Sequence, residues 1–184
     1  MRGLLRRGLV VATASAALPA HAVVVQYDLV PLGDSNFRYV YTVTNDGSLG
    51  DAAIGLFDVM FDPLDYDEAS LTVTTQAPLA ADWDELLLAS APNVSAAYDA
   101  LAVAGGIANG QAASGFRVDF VWLGTDPPGS QPFVIFDPVS FAVLEEGVTV
   151  SPVPAPAAGW LMISGFAALF KSVATRKKRV RIVG

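Results

Sequence analysis

The chain has 184 residues, 53% of them apolar, with 18 Asp and Glu, 11 Lys and Arg, one His and no Cys. It is long enough for about one domain and too apolar for a disordered chain, and the missing Cys excludes disulfides, thiol nucleophiles and thiolate metal sites. The net charge of −7 conceals three blocks: three Arg and no acid in residues 1–22, all 18 acids with two Arg in residues 23–150, and six cations with no acid in residues 151–184.

Residues 1–22 read as a secretory signal peptide. Arg2, Arg6 and Arg7 give a positive start, and residues 8–18 form an apolar stretch too short to span a bilayer comfortably. Pro19 then precedes Ala20-His21-Ala22, a small-residue cleavage site recognised at Ala20 and Ala22. The mature chain is expected to begin at Val23. The pair Arg6-Arg7 lacks the rest of a twin-arginine pattern, so the general secretory translocon is the expected partner.

Residues 23–150 carry Gly, Pro, Asn and Asp at short intervals and no long helical period. Alternation of aromatic and β-branched residues is clear at Phe37, Tyr39, Tyr41 and Val43, and again at Phe116, Val118, Phe120 and Trp122, which argues half-buried strands. In chain order the predicted strands are 23–32, 37–44, 54–61, 71–75, 116–122, 133–136 and 141–144. Asn45-Asp46-Gly47, Asp126-Pro127-Pro128-Gly129 and Asp137-Pro138 supply turns. Residues 82–106, richer in Ala and Leu, are expected to hold a short helix or a long crossover loop. Short strands joined by polar turns in a chain of this size predict an all-β fold, an antiparallel β-sandwich.

Residues 151–184 have a three-part order. Pro152-Val153-Pro154-Ala155-Pro156 favours an extended polyproline stretch, so a helix is expected only after Pro156. Residues 157–175 would then span about 28 Å at about 1.5 Å per residue, close to one hydrocarbon thickness, with Lys171 near enough to the end to snorkel. A single C-terminal transmembrane helix is therefore expected, and Gly159, Ser164 and Gly165 suit it to close packing against another membrane helix. Arg176-Lys177-Lys178-Arg179 places the tail, 176–184, on the cytoplasmic side and the acidic domain outside.

This order, from Pro152-Val153-Pro154-Ala155-Pro156 through Ala157-Ala158-Gly159-Trp160-Leu161 to the basic cluster, resembles the PEP-CTERM sorting signal of exopolysaccharide-producing Gram-negative bacteria, in the variant with alanine at the middle position. The resemblance implies recognition and removal of the tail by an exosortase. Val153, Pro154, Ala155 and Pro156 would be a site acted upon. No LPxTG pentapeptide is present, which disfavours the sortase route. The middle domain is similar to small proteins that carry the same tail, through Tyr39-Val40-Tyr41-Thr42-Val43-Thr44-Asn45, Ala77-Pro78 leading to Trp83-Asp84, Tyr98-Asp99-Ala100-Leu101-Ala102 and Phe120-Val121-Trp122-Leu123-Gly124. That likeness implies a secreted domain and adds no chemistry.

The absent residues narrow the chemistry. With His21 in the leader, the mature chain has neither His nor Cys, and residues 23–170 contain no Lys. A Ser-His-Asp triad, a Schiff-base or P-loop lysine and His- or Cys-based zinc sites are excluded. Carboxylates remain, and Asp58, Asp62, Asp65, Asp67 and Glu68 crowd into eleven residues, with Asp82, Asp84 and Glu85 as a smaller group. Oxygen ligands from Asp62, Asp65, Asp67 and Glu68 would suit Ca²⁺, although the EF-hand loop pattern is absent; the structural alternative is a solvated acidic loop. Trp83, between acids, is the expected exposed aromatic contact for a sugar, while Trp122 is expected in the core with Tyr66 and Tyr98. Two Arg against 18 acids exclude nucleic acid as a partner of this domain.

The expectation is an exported protein that is anchored in the inner membrane as a precursor with its C-terminus cytoplasmic, and then reaches the cell surface or matrix. It would be structural or matrix-interacting and non-catalytic, with no cofactor, and with exopolysaccharide or other matrix components as candidate partners. The alternative is a weak calcium- or carbohydrate-binding module, and a remote one is an acid-pair glycosidase.

Overall fold

A computed structural model gives the structure of residues 23–152. The expected signal peptide with Ala20 and Ala22, the sorting motif Val153-Pro154-Ala155-Pro156, the transmembrane helix 157–175 and the basic tail lie outside the described residues. Among the described residues, no helix is long and apolar enough to cross a membrane.

Nine strands form in the order β1 (Val24–Gly33), β2 (Asn36–Thr44), β3 (Leu56–Phe61), β4 (Tyr66–Val73), β5 (Trp83–Leu88), β6 (Ala96–Ala102), β7 (Ala112–Trp122), β8 (Pro132–Phe136) and β9 (Val143–Val148), with one helical turn, α1 (Leu79–Asp82), before β5. They pair into a four-stranded sheet, β1-β2-β7-β4, and a five-stranded sheet, β5-β6-β3-β8-β9. All strand pairs are antiparallel. The all-β antiparallel sandwich expected from alternation is thus found, and its first three strands, β7 and β8 lie within four residues of their expected bounds. Residues 82–106 differ: instead of a short helix or a crossover loop they supply the two strands β5 and β6, and the helical turn α1 ends where the stretch begins. The strand expected at 71–75 begins earlier, at Tyr66 inside the acidic run, and that expected at 141–144 runs from Val143 to Val148.

Side chains alternate, so each sheet sends every second residue inward. The core takes Tyr39, Tyr41 and Val43 from β2, Phe116, Val118 and Phe120 from β7, Phe57, Val59 and Phe61 from β3, and Tyr98 from β6. Tyr39 stacks on Phe120 with centroids 4.7 Å apart, and Phe57 meets Phe116 edge-on at 5.0 Å. Each such ring contributes roughly 2–3 kcal/mol by leaving water. With no disulfide available, that burial is the main source of stability.

Loops at one end are fixed by Asn45, which is fully buried just after β2. Its Nδ2 donates to the carbonyls of Ala52 at 2.9 Å and Ile107 at 3.0 Å, while its own N–H and C=O bond Gln111 and Gly110. One side chain therefore ties the 45–55 loop to the 104–111 loop. Gly106 sits in the same junction at φ 65°, and a Cβ there would lie 2.3 Å from the Ile54 carbonyl oxygen, so only glycine fits.

After β9 the chain crosses to the other sheet. Val150 N–H donates to the Val25 carbonyl and Val150 C=O accepts the Tyr27 N–H, both at 2.9 Å, forming a parallel bridge with Gln26 on the outer edge of β1. Two residues on, Pro152 has no N–H with which to continue that ladder to the Tyr27 carbonyl, so among the described residues Val150 makes the last main-chain bonds to β1.

Replacing Asn45 with Ala removes two donors from the loop junction and leaves the Ala52 carbonyl without its Asn45 partner. We expect a loss of about 2–3 kcal/mol, read as a lower urea midpoint at unchanged slope. A midpoint within error of the parent would show that the junction does not depend on this side chain.

Candidate functional site

The two outer faces of the sandwich differ in chemistry. On the four-stranded sheet the outward side chains are mixed, with Val30, Val40 and Val121 set among polar pairs: Arg38 pairs with Asp119 through contacts of 2.6 and 2.8 Å, Thr74 donates to Asp119 at 2.9 Å, and Thr42 meets Ser114 at 2.7 Å. On the five-stranded sheet the residues between the core positions are mostly apolar. Register sets them in cross-strand rows, Leu88-Ala97-Met60-Pro132-Val148 and Leu86-Asp99-Asp58-Val134-Glu146. At the edges Leu86, Leu88 and Val148 are 51%, 44% and 57% exposed. An antiparallel sheet facing water ordinarily alternates apolar and polar, so this face departs from that pattern.

At its centre sit two facing carboxyl groups, Asp58 on β3 and Asp99 on β6. Asp58 is 8% exposed, and its Oδ1 has no protein hydrogen-bond partner. Burial, then the hydrogen bond and charge of Asp99, push its carboxyl up to about 7. Asp99 is also raised, by burial and by the charge of Asp84 on β5, while its hydrogen bond with Asp58 works the other way. Near neutral pH the pair is therefore only partly ionised. The two groups face one another across neighbouring strands, not across a cleft, so they lack the open geometry of an acid pair that hydrolyses glycosides.

A cleft of about 260 Å³ adjoins this face at the Met60–Pro132 end, lined by Asp62, Asp65, Tyr66, Trp122 and Gln131 among others. The Trp122 indole meets Tyr66 edge-on at 4.9 Å and donates its Nε1–H to the Asp126 carbonyl at 2.6 Å. Here the expected roles of the tryptophans are reversed. Trp83 is buried against Phe57 and Phe116, because it is the inward residue of β5 with its acidic neighbours pointing out. Trp122, at the end of β7, is half-buried and lines the cleft. Tyr98 and Tyr66 are core residues, as expected.

The acidic run does not converge. Asp62 and Asp65 line the cleft, with Asp62 Oδ1 accepting the Leu64 N–H at 2.9 Å. Asp67 accepts the Ala69 N–H at 3.2 Å on the surface of β4, where its register against β7 shifts. Glu68 is occupied by Ser90, whose N–H and Oγ–H it accepts at 2.9 and 2.6 Å, and these bonds hold its carboxyl below the usual range. Among the described residues, no group of three or more carboxylates or other ligating side chains is placed to hold a metal ion. The Asp58–Asp99 pair had no local signature: an acid at an outward position inside an apolar run, as in Phe57-Asp58-Val59 and Tyr98-Asp99-Ala100, was its one trace in the sequence.

No protein-family model matches the chain, and no curated protein matches it in sequence. Among solved structures it is similar to the crystal structure of a CaDoc0917 variant in complex with CaCohA2 at pH 5.5, at 10% identity, covering 70% of this chain and 99% of that one with a TM-score of 0.33. It is also similar to the solution structure of CaCohA2 from Clostridium acetobutylicum, at 13% identity, 72% and 94% coverage and a TM-score of 0.29.

The raised carboxyl has a signed consequence. Between the unfolded value of about 3.9 and the folded value near 7 the native state holds the extra proton, so this group's contribution to stability declines as pH rises through that window and is level above it. Asp119, held low first by its bond to Arg38, acts in the opposite sense only at acid pH. Asp58→Asn keeps a donor to Asp99 without the ionisation. It should raise stability at pH 8 by roughly 1–3 kcal/mol and flatten the melting temperature between pH 5 and 8. An unchanged slope in that variant would remove the pair from the account.

Proposed function

We propose that the chain is an exported, non-catalytic surface or matrix protein, processed at both ends, whose sandwich engages a partner protein through the outer face of its five-stranded sheet. Export rests on the sequence of the two ends: a leader cleaved after Ala22, and a tail with the order of a PEP-CTERM signal, anchored in the inner membrane until an exosortase removes it. The end of hydrogen bonding at Val150 supports this reading, since it closes the fold just before the proline motif.

The observation that carries the binding role is the contrast between the two outer faces. A face on which polar pairs are interspersed with single apolar residues needs no partner; exposed Leu86, Leu88 and Val148 in largely apolar rows beside a partly ionised acid pair are stable in water only at a cost that a partner would relieve. The partner's contact surface should be apolar with cationic groups at its margin, matching Asp84 and Glu146 and a domain that has two Arg among its many acids. A second reading places a neutral sugar in the adjoining cleft, stacked on Trp122 and hydrogen-bonded by Asp62 or Asp65.

Intact-mass analysis of protein released by the native host should find residues 1–22 and the tail from about Pro156 onward missing. Retention of Arg176-Lys177-Lys178-Arg179 on the released form would defeat the sorting assignment. For the face, cosedimentation of the protein with host extracellular matrix should fall at least tenfold in the variant Leu86→Lys with Val148→Lys, and should also fall after the matrix is treated with protease. Thr42→Lys, on the polar face, should leave it unchanged. Retention that survives protease and is lost in Trp122→Ala would instead support the sugar reading.

A further inference from the structure

Val23, the residue expected to become the amino terminus, is already part of the fold. It is buried, with 4% of its surface exposed, and its main-chain N–H donates to Glu145 Oε1 at 2.9 Å across 122 positions of sequence. The other carboxylate oxygen of Glu145 accepts the Ser48 Oγ–H at 2.8 Å. Glu145 lies on β9 opposite Ile135, on the inward side of its strand, so the contact joins the start of β1 in one sheet to the edge strand of the other.

In the precursor this nitrogen is an amide, neutral and with a single N–H. Both of these donors to Glu145 are then uncharged, and among the described residues no cationic side chain is paired with this half-buried carboxylate. The other ionisable side chains on the elements around it are acidic: Asp28 on β1, Asp46 on the turn after β2, and Glu146 on the outer face of β9. The two Arg of residues 23–152 lie on β2 and β7, and Arg38 is tied to Asp119. Hydrolysis of the Ala22–Val23 peptide bond adds hydroxyl to the Ala22 carbonyl carbon and hydrogen to the Val23 nitrogen, which takes up a further proton at neutral pH. An ammonium with three N–H donors then stands where the amide stood.

We propose that Glu145 is the receptor for the amino terminus created by leader removal, so that maturation converts a neutral hydrogen bond into a partly buried ion pair that clamps β1 to β9. The inference rests on the export reading for the position of the cut. A charge-assisted bond is shorter and stronger than a neutral one, and at this site it is shielded from solvent on the Val23 side. The exported protein would be held more firmly closed than its precursor, and any chain begun one residue earlier would carry its charge away from Glu145.

N-terminal sequencing of the host-exported protein should give Val23 as the first residue; another start overturns the assigned cut and the proposal with it. The leaderless chain begun at Val23 and one begun at Ala22 are then compared in mild detergent, each with Glu145 and with Glu145→Gln. At pH 6 the substitution should lower the melting temperature by about 3–6 °C more in the Val23 chain than in the Ala22 chain. An amine raised above its unfolded value of about 8 stabilises fully below that value and loses the effect as pH rises through the folded one, so the excess should fade in alkali. Equal losses in both chains at pH 6 would overturn the proposal and leave the export reading standing. NMR titration gives a check independent of stability: the Val23 α-amino group should titrate higher with Glu145 than with Glu145→Gln, and an unshifted amine would also overturn it.

Discussion

Tyr39 is the contact on which the two sheets close. Its ring stacks on Phe120 and Tyr41 within its own sheet, meets Tyr27 edge-on at 5.2 Å, and leans on Phe61 of the facing sheet. Its hydroxyl donates to the Gly129 carbonyl at 2.8 Å and lies 3.1 Å from that of Tyr66. A buried phenol is tolerable only if its polar atom is satisfied, and here that requirement positions the 126–131 segment that forms one wall of the cleft. Tyr41 repeats the arrangement by accepting from Gln131 Nε2 at 2.8 Å. Core packing and cleft geometry are therefore one system, and in the absence of disulfides this packing does most to hold the sheets in place.

The same sandwich carries its charge unevenly. Its few cations serve the polar face, where Arg38 and Asp119 lie in direct contact. On the opposite face the acids are set among Leu, Val and Met, and burial, with Asp99 beside it, pushes the Asp58 carboxyl up to about 7. A hydrophobic pair at those two positions would cost less. Retaining two carboxyls at the centre of an apolar face fits the proposed recognition role better than a stabilising one, because partial neutralisation lowers the cost of burial and Asp58 Oδ1 is left as an acceptor without a protein partner.

How much of this was legible in the sequence depends on how far each feature extends along the chain. Strands β2 and β7 announce themselves because large inward rings alternate with polar residues. Strand β6 does not: Ala96 and Ala100 are its inward residues beside Tyr98, small enough to admit the rings packed above them, and alanine carries no strand signal. Strand β5 ends in Leu86-Leu87-Leu88, where both faces are apolar and period two disappears. Trp122 follows Phe120 in inward phase, but at the end of β7 its ring reaches the rim of the core and lines the cleft. Trp83 was disguised by flanking acids, although Glu85, also inward, shows that acids occur on that side when Tyr98 and Thr75 donate to them. The acid pair and the apolar face arise from strand pairing alone, between positions 41 residues apart, and no local pattern encodes that.

The two ends of the described chain meet on one side of the fold. Val23 reaches β9 through Glu145, and the chain leaving β9 returns to β1 through Val150, so β1 is held at both of its flanks near its first residues. Its outer edge is then limited further by Pro31, which falls on the side facing away from β2, where its missing N–H denies a docking strand one of its bonds. Pro152 acts in the same way from the other chain segment. If the chain crosses a membrane unfolded and is cut near both ends, as we propose, Pro31 and Pro152 each remove a main-chain donor from an edge where a wrong strand could pair. Among the described residues, the outermost main-chain bonds of the sandwich are those of Val23 and Val150, just inside the two places where the sequence leads one to expect the chain to be cut.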